Sequence, residues 1–187
     1  MQILTLCTAN QCRSPMAEVL LQRALDERGV PATVASAGSM RGGVPVSDGS
    51  VRAMARRGLV LDGRRSRTVT ADEVAAADLV LCMERSHVRS AVVVHPPAWP
   101  RTFTLKELVR RGEALGPRGA AEPLDRWLER LGHGRDRRAL LAADPIDDVA
   151  DPMGRPDSAY EATAALLDDL VERAVDLAFP ASAAASS

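Results

Sequence analysis

The sequence is poor in aromatic side chains, with two Trp, two Phe and one Tyr in 187 residues. A site that recognises its ligand by ring stacking has little to draw on. Lysine is scarcer still: of 24 basic residues only Lys106 is a lysine, which reads as the codon bias of a GC-rich genome. The formal net charge of -1 lacks the basic excess of a nucleic-acid binder. Three cysteines are too few, and odd in number, for a secreted disulfide framework. Apolar runs such as Leu79–Met83 are too short to span a membrane. The opening Met1-Gln-Ile-Leu-Thr-Leu shows no basic region or cleavage site, so no signal peptide is expected. What remains is a cytoplasmic, single-domain protein with no membrane or nucleic-acid partner.

Apolar residues are plentiful, at 46%, and they alternate between two periods. Strands are expected at Ile3–Leu6, Ala32–Ala37, Asp78–Met83 and Arg101–Thr104. Helices are expected at Ala17–Arg28, Ser47–Arg57, Asp72–Ala77, Ser86–Val94, Leu105–Glu113 and Ser158–Leu177, with Pro15 in the first turn of the first. This order predicts an α/β fold with a parallel sheet and helices on both faces, whose ligand site lies beyond the carboxyl ends of the strands. One domain is expected over 1–178. Within it, 110–144 is Gly-, Arg- and Pro-rich and reads as an insertion or lid-like excursion, with helical patches at Leu124–Leu131 and Arg137–Leu141. The tail, 179–187, is expected to be disordered.

The informative segment is Leu4-Thr-Leu-Cys7-Thr-Ala-Asn10-Gln-Cys12-Arg13-Ser14-Pro15. A strand delivers Cys7 to a loop, and a helix begins just beyond Arg13. A phosphate dianion needs several donors converging on it. A loop running into a helix N-terminus supplies backbone N–H groups and the positive end of the dipole. Thr8, Ala9, Asn10, Gln11, Cys12 and Ser14 are the candidate binding set. Arg13 adds a planar fork that can hold two oxygens. The same field favours a thiolate, which makes Cys7 the candidate nucleophile. Ser14 is placed to donate to its sulfur, and the Asn10 amide to brace the loop.

Such chemistry needs an acid for the leaving oxygen and then a base for water, and one carboxylate can serve as both. Asp144, Asp147, Asp148, Asp151 and Asp157 compete. Asp144-Pro145 and Asp151-Pro152 both suit a loop that presents a carboxylate. The position of Asp151 before the last helix slightly favours it.

These residues resemble the low-molecular-weight protein tyrosine phosphatase family. The resemblance rests on Cys7 to Glu18, Ser36-Ala-Gly38, Asp78 to Met83, and Asp151-Pro152 with Gly154, and covers about 1–110 and 145–178. It implies a four-stranded parallel sheet flanked by helices. It implies Cys7 as nucleophile, Arg13 as phosphate clamp and Asp151 as general acid, with Asn10, Ser14 and Ser36 supporting the loop. The implied substrate is a phosphorylated protein or small phosphoester, with phosphotyrosine or a related aryl or N-phosphate in view. No metal or cofactor is implied, and the chain is expected to be a monomer or weak dimer.

The chain departs from the family pattern in four places. Ala9 stands where Gly is usual, which is tolerable only at negative φ. The places of the family's aromatic pocket walls hold Met40-Arg-Gly-Gly43 and Met153-Gly-Arg155, so ring stacking should be weak. Arg41 and Arg155 could favour acidic contexts instead. Arg stands in the Arg64-Arg-Ser-Arg67 stretch where a supporting His is expected. Cys12 is a candidate redox partner for Cys7, and Cys82 reads as a core residue. An arsenate reductase using an external thiol is the alternative, although Glu84–Val94 lacks the third cysteine of the thioredoxin-coupled kind. A phosphate-binding module without turnover is the non-enzyme alternative. His87, His95 and His133 lack metal-ligand spacing and read as surface or satisfied histidines.

Overall fold

The computed structural model of the protein describes residues 1–141 and 145–180. The elements are β1 (Gln2–Cys7), α1 (Arg13–Glu27), β2 (Thr33–Gly38), α2 (Asp48–Ala55), α3 (Ala71–Ala76), β3 (Leu79–Cys82), α4 (Arg85–Val94), β4 (Thr102–Thr104), α5 (Leu105–Leu115), α6 (Leu124–Leu131) and α7 (Asp157–Ala178). The four strands form one sheet in the order β2-β1-β3-β4, with every pairing parallel. The expected α/β class and four-stranded parallel sheet are both present. The Val92-Val-Val run, which also suits a strand, is helical within α4.

Side chains of a strand alternate between faces, and the sheet uses both. Ile3, Leu79, Leu81 and Phe103 enter one buried cluster with α1, α5, α6 and α7. Leu4, Leu6, Val80 and Cys82 enter the other, with Val74 of α3 and with Val88 and Ala91 of α4. Each fully buried aliphatic side chain contributes about 1.5–3 kcal/mol through removal from water.

The stretch 110–144 contains the end of α5 and all of α6. Trp127, Leu128 and Leu131 of α6 are buried in the same cluster as α7. Farther on, the Arg135 guanidinium lies between the rings of Trp99 and Phe103, at 3.9 and 4.0 Å. Asp144, one of the competing acids, lies outside the described residues, as do 181–187 of the tail. Phe179, at the head of that tail, is buried and closes α7 against the core.

Register positions the site. Cys7 at the end of β1 pairs with Gly38 at the end of β2, and Leu6 pairs with Cys82 at the end of β3. Three strand ends therefore finish level, and the loops that follow them share one edge. Gly38 is required by this closeness: a Cβ there would sit 2.7 Å from the Thr8 carbonyl oxygen and 2.9 Å from Asn10 N.

Candidate active site

The loop from Thr8 to Cys12 joins β1 directly to α1. Its turn is made at Asn10, which alone among the described non-glycine residues has positive φ, at 53°. Asn tolerates this left-handed conformation better than most residues. Ala9 therefore keeps the negative φ that its methyl requires. The turn aims the Asn10 N–H at Cys7 Sγ, 3.2 Å away. Ser14 Oγ lies 3.0 Å from the same sulfur and donates to it. Cys7 is buried, so its sulfur meets two fixed donors with little competition from water.

The Asn10 side chain braces this arrangement. Its amide nitrogen donates to Ser14 Oγ at 3.0 Å and to Ser36 Oγ at 2.9 Å. Its oxygen accepts from the Arg67 backbone N–H at 2.8 Å. Arg67 also donates to the Ser36 carbonyl at 2.8 Å. The stretch expected to differ at a histidine thus supports the loop through backbone and guanidinium instead. Asn10, Ser14 and Ser36 are brought together by these bonds, and Thr8 and Gln11 lie half-buried along the loop.

Arg13 opens α1 and is almost wholly buried. Its guanidinium donates to Glu84, to the Val149 carbonyl at 3.0 Å and to Asp151 Oδ2 at 2.7 Å. Its Nε–H, also buried, has no partner among the described residues. A buried donor left unpaired costs about 1–3 kcal/mol, so this one is suited to an anion arriving at the loop. Burial pushes the Glu84 carboxyl up, but the hydrogen bond and charge of Arg13 outweigh it and hold the carboxyl below its ordinary range.

The described aspartates separate by partner. Asp147 is buried against Arg110 at 2.9 Å, with Arg85 at 3.4 Å. Asp148 accepts from the Arg85 N–H at 3.0 Å, and Asp157 pairs with Arg52 at the surface. Asp151 is the one that reaches Arg13. Its Oδ1 accepts from Met153 N at 3.1 Å, which shapes the Asp-Pro turn. The segment before it is tied to the sheet by Val149 N–H on the Met83 carbonyl, 2.8 Å.

Two site residues escaped the sequence reading. Glu84 lies just past the carboxyl end of β3, where sheet topology gathers ligand groups, and that position was its available signal. His87 is neither a surface residue nor a satisfied one. It is buried, its Nε2 lies 2.9 Å from Thr8 Oγ1, and its Nδ1 has no partner among the described residues. Burial pushes its pKa down to about 4, Arg13 adds to the shift, and Glu84 and Asp151 oppose it. The ring is therefore neutral at pH 7.

The other thiols differ from Cys7. Cys12 Sγ faces Ser47 Oγ at 3.1 Å, and burial raises its pKa despite that contact. Cys82 is fully buried and its thiol is pushed far up by burial, which ill suits a thiol relay. Around the mouth, Met40 and Met153 are exposed, as are Arg41 and Arg155. Among the described residues, no group of three or more His, Cys, Asp or Glu could hold a metal ion, and no helix is long and apolar enough to cross a membrane.

Comparison with known proteins follows the same lines. The family model described as low molecular weight phosphotyrosine protein phosphatase matches residues 2–117. A probable low molecular weight protein-tyrosine-phosphatase, EpsP of Ralstonia nicotianae, is 31% identical over 134 residues, covering 72% of this chain and 90% of that one. A protein-arginine-phosphatase of Bacillus subtilis is 33% identical over 126 residues, covering 65% of this chain and 82% of that one. The crystal structure of a low molecular weight protein tyrosine phosphatase from T. tengcongensis superposes with a TM-score of 0.71 at 29% identity, covering 94% of this chain and 98% of that one.

Proposed function

The chain belongs to the low-molecular-weight phosphotyrosine protein phosphatase family and is a phosphomonoester hydrolase, and we propose that it works through a cysteinyl-phosphate intermediate on Cys7. The observation that carries this reading is the pair of donors on one buried sulfur, Asn10 N–H and Ser14 Oγ, beside a guanidinium with an unpaired Nε–H.

In the first step the Cys7 thiolate attacks phosphorus opposite the ester oxygen. Arg13 and the loop N–H groups from Thr8 to Ser14 hold the equatorial oxygens, where charge is carried through the transition state. Asp151 gives its proton to the departing oxygen, so the leaving group departs neutral. In the second step Asp151 takes a proton from water, water attacks phosphorus, and the sulfur leaves with its charge met by Ser14 and Asn10. Glu84 holds Arg13 from its far side throughout, keeping the fork aimed.

The substrate reading is a phosphorylated protein bearing phosphotyrosine or an N-phosphate. The relatives named above act, by their names, on tyrosine in one case and arginine in the other. A rim carrying Met40 and Met153 in place of rings supports a pocket that does not depend on stacking. Three free thiols fit a reducing, cytoplasmic setting, and a monomer or weak dimer is the proposed state.

Hydrolysis of p-nitrophenyl phosphate tests the mechanism. Wild type should turn over, and Cys7→Ser should lose on the order of 10⁴-fold or more. Retained turnover in that variant would sink the intermediate.

A further inference from the structure

We propose that Tyr160 is a positioning residue for Asp151: it wedges between the loop that carries the acid and the turn that backs the phosphate loop, and so sets where the proton donor stands relative to the reacting sulfur. The inference rests on the phosphatase reading above, with Asp151 as its acid, and adds a residue to that machinery.

Asp151 is poorly held by packing. Its side chain is 46% exposed, and it bonds to Arg13 Nη2 at 2.7 Å and to its own turn at Met153 N, 3.1 Å. The turn continues through Gly154, whose φ of 72° suits glycine. Behind this turn stands Tyr160, buried in the first turn of α7. Its hydroxyl donates to Met153 Sδ, 3.9 Å away. Burial raises the phenol's pKa and Cys12 adds to the rise, while Ser47 and the Gly154 backbone oppose it. The phenol therefore keeps its proton at pH 7 and acts as a donor.

The ring also faces α2. A Cβ on Gly49 would sit 2.6 Å from Cδ2 of the ring and 2.7 Å from Cε2 and Cγ, so glycine there is what admits it. Just before Gly49, Ser47 grips the phosphate loop twice. Its N–H donates to the Gln11 carbonyl at 2.9 Å, and its Oγ meets Cys12 Sγ at 3.1 Å. Ser50 Oγ steadies that hydroxyl at 2.9 Å. One ring thus bears on the acid's turn and on the support of the phosphate loop. A tyrosine has two χ angles and a rigid ring, so it transmits position where a flexible side chain would not.

A misplaced acid costs rate according to how much the leaving group needs its proton. Phenolate is more basic than p-nitrophenolate and needs it more. The test is therefore the ratio of kcat/KM for phenyl phosphate over p-nitrophenyl phosphate. Tyr160→Phe keeps the ring and removes the hydroxyl, and should lower the ratio about threefold. Tyr160→Leu removes the ring and should lower it about tenfold. In an Asp151→Asn background Tyr160→Leu should shift the ratio no further, because the two residues serve one proton transfer. A merely structural residue would slow both substrates alike. A Tyr160→Leu ratio within about twofold of wild type overturns the positioning role. Should that variant fail to fold, an unchanged ratio in Tyr160→Phe overturns it. A further fall in the double variant overturns it as well. No turnover of either phosphate by wild type would overturn the phosphatase reading, and an unchanged ratio in Asp151→Asn the choice of acid, and this inference falls with either.

Discussion

Two buried arginines, Arg13 and Arg135, show how one residue type is put to opposite uses. Both side chains are about 2–3% exposed. Arg135 is saturated. Its nitrogens reach Glu107 at 2.9 and 3.1 Å, the Thr102 carbonyl at 2.7 Å and the Trp99 carbonyl at 3.2 Å, and both faces are covered by rings. Among the described residues Arg13 has no ring against it, and it keeps one buried N–H unpaired. Saturation makes a pin, and an unpaired donor held in place makes a receptor. The same contrast accounts for the aromatics. Trp99 and Phe103 clasp Arg135, Trp127 fills the core and donates to the Gly116 carbonyl, and Phe179 packs beside Arg118. Four of the five rings in the chain are spent on the scaffold, and the fifth, Tyr160, reaches Met153 with its hydroxyl.

The comparison is tested hardest by giving both arginines the same substitution. Arg13→Lys keeps the charge and loses the fork, so kcat/KM for p-nitrophenyl phosphate should fall by about 10²–10³-fold. Arg135→Lys should leave turnover per folded molecule near wild type. Its cost should appear as about 3 kcal/mol of stability in urea denaturation. If the two effects were exchanged, the assignment of pin and receptor would be wrong.

The aspartates offer a second, smaller pairing. Asp151→Asn should cut kcat by about 10²–10⁴-fold, as loss of a general acid does. Asp147→Asn, at the buried partner of Arg110, should lower stability by about 1–3 kcal/mol while sparing turnover. Steady-state kinetics and thermal melts on the same samples separate the two.

A further effect concerns pH. His87 has a folded pKa near 4, below its ordinary value of 6.5. The unfolded chain therefore takes up a proton that the folded chain refuses. Stability should fall as pH drops from about 6.5 towards 4, by at most about 1.4 kcal/mol per pH unit from this group. Below 4 its contribution levels off. Glu84, whose folded carboxyl is depressed by Arg13, then adds a further loss as it protonates. Denaturation midpoints of wild type and His87→Gln across this window should converge at low pH, and parallel curves would remove His87 as the cause.

Legibility followed distance along the chain. The Cys7-to-Ser14 loop could be read because its donors, its turn at Asn10 and its helix start are neighbours in sequence, and local backbone geometry dictates their arrangement. The first three strands could be read from short apolar stretches, whereas β4, Thr-Phe-Thr, carries a single apolar side chain. Helix boundaries slipped by a few residues: α1 begins at Arg13 and not Ala17, because a loop that ends in a helix N-terminus is helical before its apolar stripe begins. Ser47, where the second helix is expected to begin, precedes α2, makes no side-chain capping bond and turns instead to Cys12 and Ser50. His87 was misjudged because nothing in its neighbours reveals burial against a loop 79 residues away.

The sequence by itself determined the loop that carries the proposed nucleophile and clamp, and the sheet beneath it, since each depends on short-range spacing and period. Only the tertiary structure decided which acid meets Arg13 across 138 positions, that Glu84 stands behind it, and that His87 holds Thr8. The physical reason is the register of the parallel strands. It brings the ends of β1, β2 and β3 level, and so selects which distant loops can touch.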